Sequence, residues 1–239
     1  MDTQSSLSPF SNIPRRKLDD ALEDILDVES KDGVLTQGGA TLTTAFQRYY
    51  EANIPVDYWW RDMHDWQGPV NLERYYKETV KDIKTSYKEG NRACFAGKHG
   101  TGKTLTACCI LKRAVESQYT ATYVNLVDII NIMLYSTSDI KSQARESLLN
   151  IDFLVIDEFD TRFMGSENAA DLFGRILEPI MRTRIQNRLP LIFCTNSPRV
   201  EASFSGPLQA SIESLMNMVT LIPIIGGQDA RQLIKKGEL

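Results

Sequence analysis

Hydrophobic and polar positions recur with two different periods along the chain, and the change of period divides it. In the N-terminal part the period is helical. Leu18, Ala21, Leu22, Ile25 and Leu26 share one face, Asp19, Asp20, Glu23, Asp24 and Asp27 populate the rest, and Gly33 ends the run. This acidic helix reads either as a surface element packed on the body or as an arm that docks a partner protein. The first dozen residues, rich in Ser, Pro and Asn, predict a loose tail. A linker from Gly33 to Gly39 leads to a short helix marked by Phe46, Tyr49 and Tyr50, then to the aromatic stretch Ile54–Trp60. Asn71 is placed to cap a longer helix carrying Leu72, Tyr76, Val80, Ile83 and Tyr87 on one side and closed by Gly90.

Past Gly90 the period shortens. Short β-type runs at Ala93–Ala96, Ala121–Leu126, Phe153–Ile156, Leu191–Thr195 and Val219–Ile225 alternate with helical stretches. That alternation predicts an α/β fold with a parallel sheet and helices on both faces. No internal repeat and no low-complexity segment interrupts it.

Composition narrows the function classes. The chain has 239 residues, 42% of them hydrophobic and 24% charged, which is enough to bury a core without disulfide or metal staples. Lys and Arg number 27 against 31 Asp and Glu, for a net charge of −4, so any nucleic-acid contact must come from a local basic patch. Cys94, Cys108, Cys109 and Cys194 show no C-x-x-C spacing and sit among apolar neighbours, which predicts buried thiols in a reducing compartment. Two histidines, His64 and His99, are too few for a histidine metal site. No apolar run is long enough to span a membrane, and the first residues lack the order of a signal peptide, so the expected location is the cytoplasm.

One segment carries most of the chemistry. Gly97-Lys98-His99-Gly100-Thr101-Gly102-Lys103-Thr104 fits G-x-x-x-x-G-K-T, follows a β-type run and precedes the helix formers Leu105 to Val115. Glycines let backbone N–H groups curl around a phosphate that a Cβ would hold off. Lys103 supplies a mobile charge to the β and γ oxygens, Thr104 offers a hydroxyl to Mg²⁺, and the helix N-terminus reaches the same anion through its dipole. The expected cradle runs from Gly97 to Leu105; His99 occupies a variable position and is assigned no side-chain chemistry. Phe153-Leu154-Val155-Ile156-Asp157-Glu158 is an apolar strand ending in two carboxylates, in the place where ligands bind in open α/β sheets. Asp157 is the candidate metal carboxylate and Glu158 the candidate base for an attacking water. A third strand, Leu191–Thr195, ends in Asn196, whose amide can reach a γ-phosphate or the water.

These three elements, in this order, resemble the Walker A, Walker B and sensor 1 motifs of the AAA+ ATPases. Ala52-Asn53-Ile54-Pro55, Tyr123–Ile130, Thr195-Asn196-Ser197 and Gly227-Gln228-Asp229-Ala230-Arg231 are similar to segments of the DnaC/DnaI helicase loaders and the related IstB transposition helpers. The resemblance implies a P-loop NTPase with a five-stranded parallel sheet. The chain after Ser197 has room for a helix, a strand and a tail, and no room for a helical lid. It implies an N-terminal arm over residues 1–50 and an ATPase domain over 51–239. ATP and Mg²⁺ are the implied cofactors, and Arg231 joins the nucleotide-binding set. In the loaders a helix before the last strand carries an arginine that reaches the neighbouring subunit's ATP; here Ser214 falls at that place, which leaves Arg199 or one of Arg182, Arg184 and Arg188. For DNA the family points to residues 129–149, where Tyr135, Lys141 and Arg145 can meet a single strand by stacking and phosphate contact, a solvated helix pair being the alternative. Tyr58, Trp59 and Trp60 read as packing residues, with the adenine wall as a second role.

The function this implies is ATP-dependent loading of a hexameric DnaB-type helicase onto single-stranded DNA, with slow hydrolysis until a partner joins and with nucleotide-dependent homo-oligomers in reach. The rivals are an IstB-like transposition helper, a P-loop small-molecule kinase, for which Arg182, Arg184 and Arg188 would imitate a lid, and a weakly hydrolysing nucleotide-binding regulator.

Overall fold

The computed structural model describes residues 10, 39–64, 66, 68–159, 167–197 and 206–224. Five parallel strands form its centre: β1 (Arg92–Gly97), β2 (Ala121–Asn125), β3 (Phe153–Asp157), β4 (Leu191–Thr195) and β5 (Thr220–Ile224), in the spatial order β2-β3-β4-β1-β5. The inner strands β1, β3 and β4 are apolar almost throughout, as strands covered on both faces must be. Helices α4 (Lys103–Glu116), α5 (Leu126–Tyr135), α6 (Ser138–Asn150), α7 (Glu167–Gln186) and α8 (Gly206–Met216) connect them.

Two apolar clusters flank the sheet. One joins α4 to α1 (Gly39–Glu51) and α2 (Val70–Lys81) through Phe46, Leu72, Ile110, Leu111 and the strand residues Phe95, Tyr123 and Val155. The other joins α5, α6, α7 and α8 through Ile129, Leu148, Ile180 and Ile212. Phe10 belongs to this second cluster and is fully buried, against the expectation of a loose start.

Helix boundaries depart from the sequence reading at one place. The helix expected from Asn71 to Gly90 is two: α2 ends at Lys81, and α3 (Ile83–Glu89) begins after Asp82, whose carboxylate accepts from Thr85 N at 2.9 Å. Asn71 does not cap α2. Its Oδ1 accepts from Leu72 N, and its amide donates to the Pro223 carbonyl of β5. Gly90 does close α3, at φ +65°. A Cβ there would meet the Arg188 backbone at 2.4 Å, so this position needs glycine both for its conformation and for its neighbour.

The outer edge of β2 is covered by the chain itself. Tyr123 N donates to Ala52 O at 2.9 Å, and Asn53 Nδ2 donates to Tyr123 O at 2.8 Å, from a left-handed Asn53 at φ +57°. Asparagine tolerates that backbone better than most residues. The Ala52-Asn53-Ile54-Pro55 segment therefore locks onto the sheet beside the strand that carries Tyr123.

Candidate nucleotide site

The site forms where β1, β3 and β4 end, and each strand delivers its polar residue at the same edge. The loop after β1 turns through Gly100 and Gly102, at φ +74° and +86°, before α4 starts at Lys103. Thr101 Oγ1 donates to Lys98 O at 2.8 Å and pins the loop from inside. Lys103 is almost completely buried, with Nζ 2.7 Å from both Gly97 O and Lys98 O. An ammonium folded into its own loop, beside a backbone that turns through two left-handed glycines, makes a cradle for an anion.

Across from the cradle, Asp157 is buried at the end of β3. Its Oδ2 accepts from Thr104 Oγ1 at 2.7 Å, and its Oδ1 accepts from the Glu158 backbone N–H at 2.7 Å. A hydroxyl and a carboxylate joined this way are hard oxygen ligands that suit Mg²⁺, so the donor set fits the implied metal. Glu158 follows at φ +51° and is exposed, and the chain returns to the body as Phe159 N donates to Cys194 O of β4 at 2.9 Å. Asn196 comes directly after β4, half-buried, in a turn closed by Ser197 N donating to Thr195 Oγ1 at 3.0 Å. Lys103, Thr104, Asp157, Glu158 and Asn196 thus all lie at the C-terminal edge of the sheet. Arg231, Arg199, the acidic helix Leu18–Asp27 and the Gly227–Arg231 tail lie outside the described residues.

Two residues at this edge escaped the sequence reading. The first is Trp66. A Cβ on Gly102 would fall 1.9 Å from its indole, and one on Gly68 2.0 Å from it, so two missing side chains make its seat against the P-loop. The segment leading to it runs back along α4: Lys112 Nζ bonds to Trp59 O and Arg61 O, Cys109 Sγ to Arg61 O, and Thr106 Oγ1 to Met63 Sδ. The readable signal was the Trp66-Gln67-Gly68 spacing. The second is Tyr123, whose hydroxyl lies 2.8 Å from Asp157 Oδ2. Burial and the neighbouring carboxylate hold this phenol far above its ordinary pKa.

The aromatic stretch divides. Trp59 is buried, stacks on Phe46 and donates to Ile54 O at 2.9 Å, whereas Trp60 is 55% exposed and is not a packing residue. Cys94, Cys108, Cys109 and Cys194 are all buried thiols outside any disulfide, as expected. Tyr135 stands 82% exposed at the end of α5, Lys141 reaches back to Leu134 O at 3.2 Å, and Arg145 is exposed one turn further along α6.

Of the arginines considered as a trans-acting finger, Arg184 is excluded. It is fully buried, donating to the carbonyls of Leu148, Ile151, Asp152 and Pro190 at 2.8–3.2 Å, and burial pushes its guanidinium down to about 10. Arg182 is paired with Glu178 at 2.6 Å, which in turn accepts from Ser211 of α8. Both sit on a helix packed into the body, so neither belongs to a kinase-like lid. Arg188 is exposed in the turn after α7, and Ser214 is exposed on α8.

The sequence profile of the IstB-like ATP binding proteins matches residues 77–188, which include the P-loop, Asp157 and Glu158 and stop short of Asn196. No curated protein matches the sequence. Solved structures share the fold. The crystal structure of DnaI aligns at a TM-score of 0.55 with 18% identity, over 71% of this chain and 87% of that one. The DnaC helicase loader aligns at 0.53 with 22% identity, over 71% and 99%. The replication initiator DnaA bound to AMPPCP and single-stranded DNA aligns at 0.54 with 20% identity, over 73% and 51%. Among the described residues no helix is long and apolar enough to cross a membrane.

Proposed function

We propose that this chain, whose residues 77–188 match the profile of the IstB-like ATP binding proteins, is an ATPase that loads a hexameric DnaB-type helicase onto single-stranded DNA. The Thr104–Asp157 hydrogen bond at the mouth of the P-loop is the observation that carries the ATPase half of this reading. Lys103 leaves its loop carbonyls for the β and γ oxygens of an entering nucleotide, exchanging neutral partners for anionic ones. Mg²⁺, bound through Thr104 and Asp157, would neutralise charge on the transferred phosphoryl group. Glu158 projects from the turn after β3, where its carboxylate orients the attacking water and takes its proton. Asn196 binds the γ-phosphate or that water and, through the turn after β4, makes the next segment of chain sensitive to hydrolysis.

The partner half rests on the shared fold with the DnaC helicase loader and with DnaI, together with the exposed Tyr135 and Arg145 and the half-buried Lys141 on the helices between β2 and β3. Of residues 1–50, expected as the partner-binding arm, α1 packs on the motor through Phe46 and Tyr49, so the arm is the stretch before α1 and the motor begins with that helix. With serine at position 214, turnover is slow until a partner or a second copy supplies the missing cation. The family match itself favours a second reading, a transposition helper with a transposase in place of the helicase.

One experiment separates these. The full chain is used as bait in native extract with a non-hydrolysable ATP analogue, beside Lys103→Ala and Glu158→Gln. Helicase capture by the parent and by Glu158→Gln, lost in Lys103→Ala, is the expected result. Nucleotide-dependent capture of a transposase instead selects the second reading, and capture indifferent to Lys103→Ala overturns both. In the same preparations Lys103→Ala weakens nucleotide binding about 100-fold or more, from loss of a buried charge partner. Glu158→Gln retains binding and slows turnover about 100-fold.

A further inference from the structure

Asp157 is held by three donors, and one of them comes from outside the two motifs. Thr104 Oγ1 and Tyr123 OH lie 2.7 Å and 2.8 Å from the same oxygen, Oδ2, while the Glu158 N–H takes Oδ1. Register explains the reach. Tyr123 pairs with Val155 and Asn125 with Asp157, so Tyr123 is the diagonal neighbour of Asp157 on one face of the sheet, within range of a long aromatic side chain. Its backbone is fixed on the other side by Ala52 and Asn53. Asn125 Oδ1, 3.1 Å away, is a second acceptor for the same proton, but the nearer and charged Asp157 oxygen is the stronger one.

We infer that Tyr123 is a positioning residue for the magnesium-binding carboxylate, acting through Asp157 and never touching nucleotide or metal. The inference rests on the reading of Thr104 and Asp157 as the metal site. When Thr104 turns a lone pair toward a cation, its O–H must stay aimed at Asp157 Oδ2, and that requires the carboxylate plane to hold still. A carboxylate's terminal torsion is soft, with a broad two-fold profile. The Glu158 N–H holds one oxygen from a backbone turn, and Tyr123 holds the other from a strand anchored at both of its edges. Removing the hydroxyl takes away the one donor anchored on β2 and loosens the carboxylate plane, while the P-loop amides and Lys103, which grip the phosphates, are untouched.

The test is nucleotide binding by full-length Tyr123→Phe, read with a fluorescent ADP analogue first in excess EDTA and then against Mg²⁺. Metal-free affinity should stay within twofold of the parent. The Mg²⁺ concentration for half-maximal enhancement should rise about tenfold, the lower end of what loss of an outer-shell partner does to metal sites. Tyr123→Met, a second variant without the hydroxyl, should behave alike. In an Asp157→Asn background Tyr123→Phe should add less than twofold, because its effect runs through that carboxylate. A half-saturation within twofold of the parent in both single variants overturns the inference, as does an equal loss of affinity with and without Mg²⁺, which marks a packing role. A parent that binds nucleotide but gains nothing from Mg²⁺ instead refutes the metal site, and the inference falls with it.

Discussion

Replacing Arg184 with methionine should destabilise the protein by about 3 kcal/mol and leave nucleotide binding alone. The guanidinium makes four hydrogen bonds to carbonyls, from Leu148 and Ile151 at the end of α6, Asp152 before β3 and Pro190 before β4. At the low end for bonds from a charged donor, about 1.5 kcal/mol each, these amount to roughly 6 kcal/mol. Burying an ion works against them by several kcal/mol, and here the Nε makes no hydrogen bond of its own. The difference, about 3 kcal/mol, corresponds to a fall in Tm of roughly 6–12 °C for a chain of this size. Urea titration and thermal melting followed by circular dichroism measure it. Arg184→Lys keeps the charge, but its ammonium cannot span four carbonyls, so about half of the loss should remain. These carbonyls lie at the N-terminal edge of the sheet, opposite the P-loop, so the affinity for nucleotide should not change. A Met variant within about 1 kcal/mol of the parent would mean that the clasp is not made by the arginine. A stable variant with lost ATPase activity would return Arg184 to the list of fingers.

Gly102→Ala should lower Tm and shift Trp66 emission, since the new methyl group meets the indole and the backbone at φ +86° costs an alanine about 1 kcal/mol or more; an unchanged spectrum and melting curve would remove Trp66 from the P-loop. Single-stranded DNA binding should be weak and salt-sensitive, and Lys141→Ala with Arg145→Ala should reduce the slope of log affinity against log salt by about 1.4, the value for two phosphate contacts. Binding that ignores salt, or a slope the double variant leaves intact, would move the DNA contact elsewhere.

What the sequence made legible was whatever is local. The P-loop is eight contiguous residues, and Asp157, Glu158 and Asn196 each sit at the end of an apolar run, so strand order alone brought them to one edge. Contacts made across the fold left no such trace. Tyr123 and Asp157 are 34 residues apart, and nothing in a strand pattern says which aromatic reaches which carboxylate. Arg184 sits in an Arg-x-Arg run that offers candidates for a trans-acting finger, yet it is turned inward and fully buried. The break at Asp82 is hidden for a different reason. Leu72, Tyr76, Val80, Ile83 and Tyr87 keep helical spacing straight through it, because both helices bury the same side. Phe10 is a single aromatic in a Ser- and Pro-rich stretch, and composition outweighed it.

The four buried thiols give the molecule a built-in stopwatch. Cys94 and Cys194 sit on the central strands β1 and β4, while Cys108 and Cys109 sit on α4, the helix that begins at the phosphate cradle. Only a thiolate reacts with alkylating or disulfide reagents, and burial raises Cys108, Cys109 and Cys194 away from ionisation as well as from access. Any modification therefore reports a moment when the surrounding structure has come apart. The two pairs run on separate clocks: one times the parting of the sheet's centre, the other the release of the helix behind the P-loop. A ligand held by that loop slows the second clock by its own occupancy, so the order in which the cysteines react records which part of the motor lets go first.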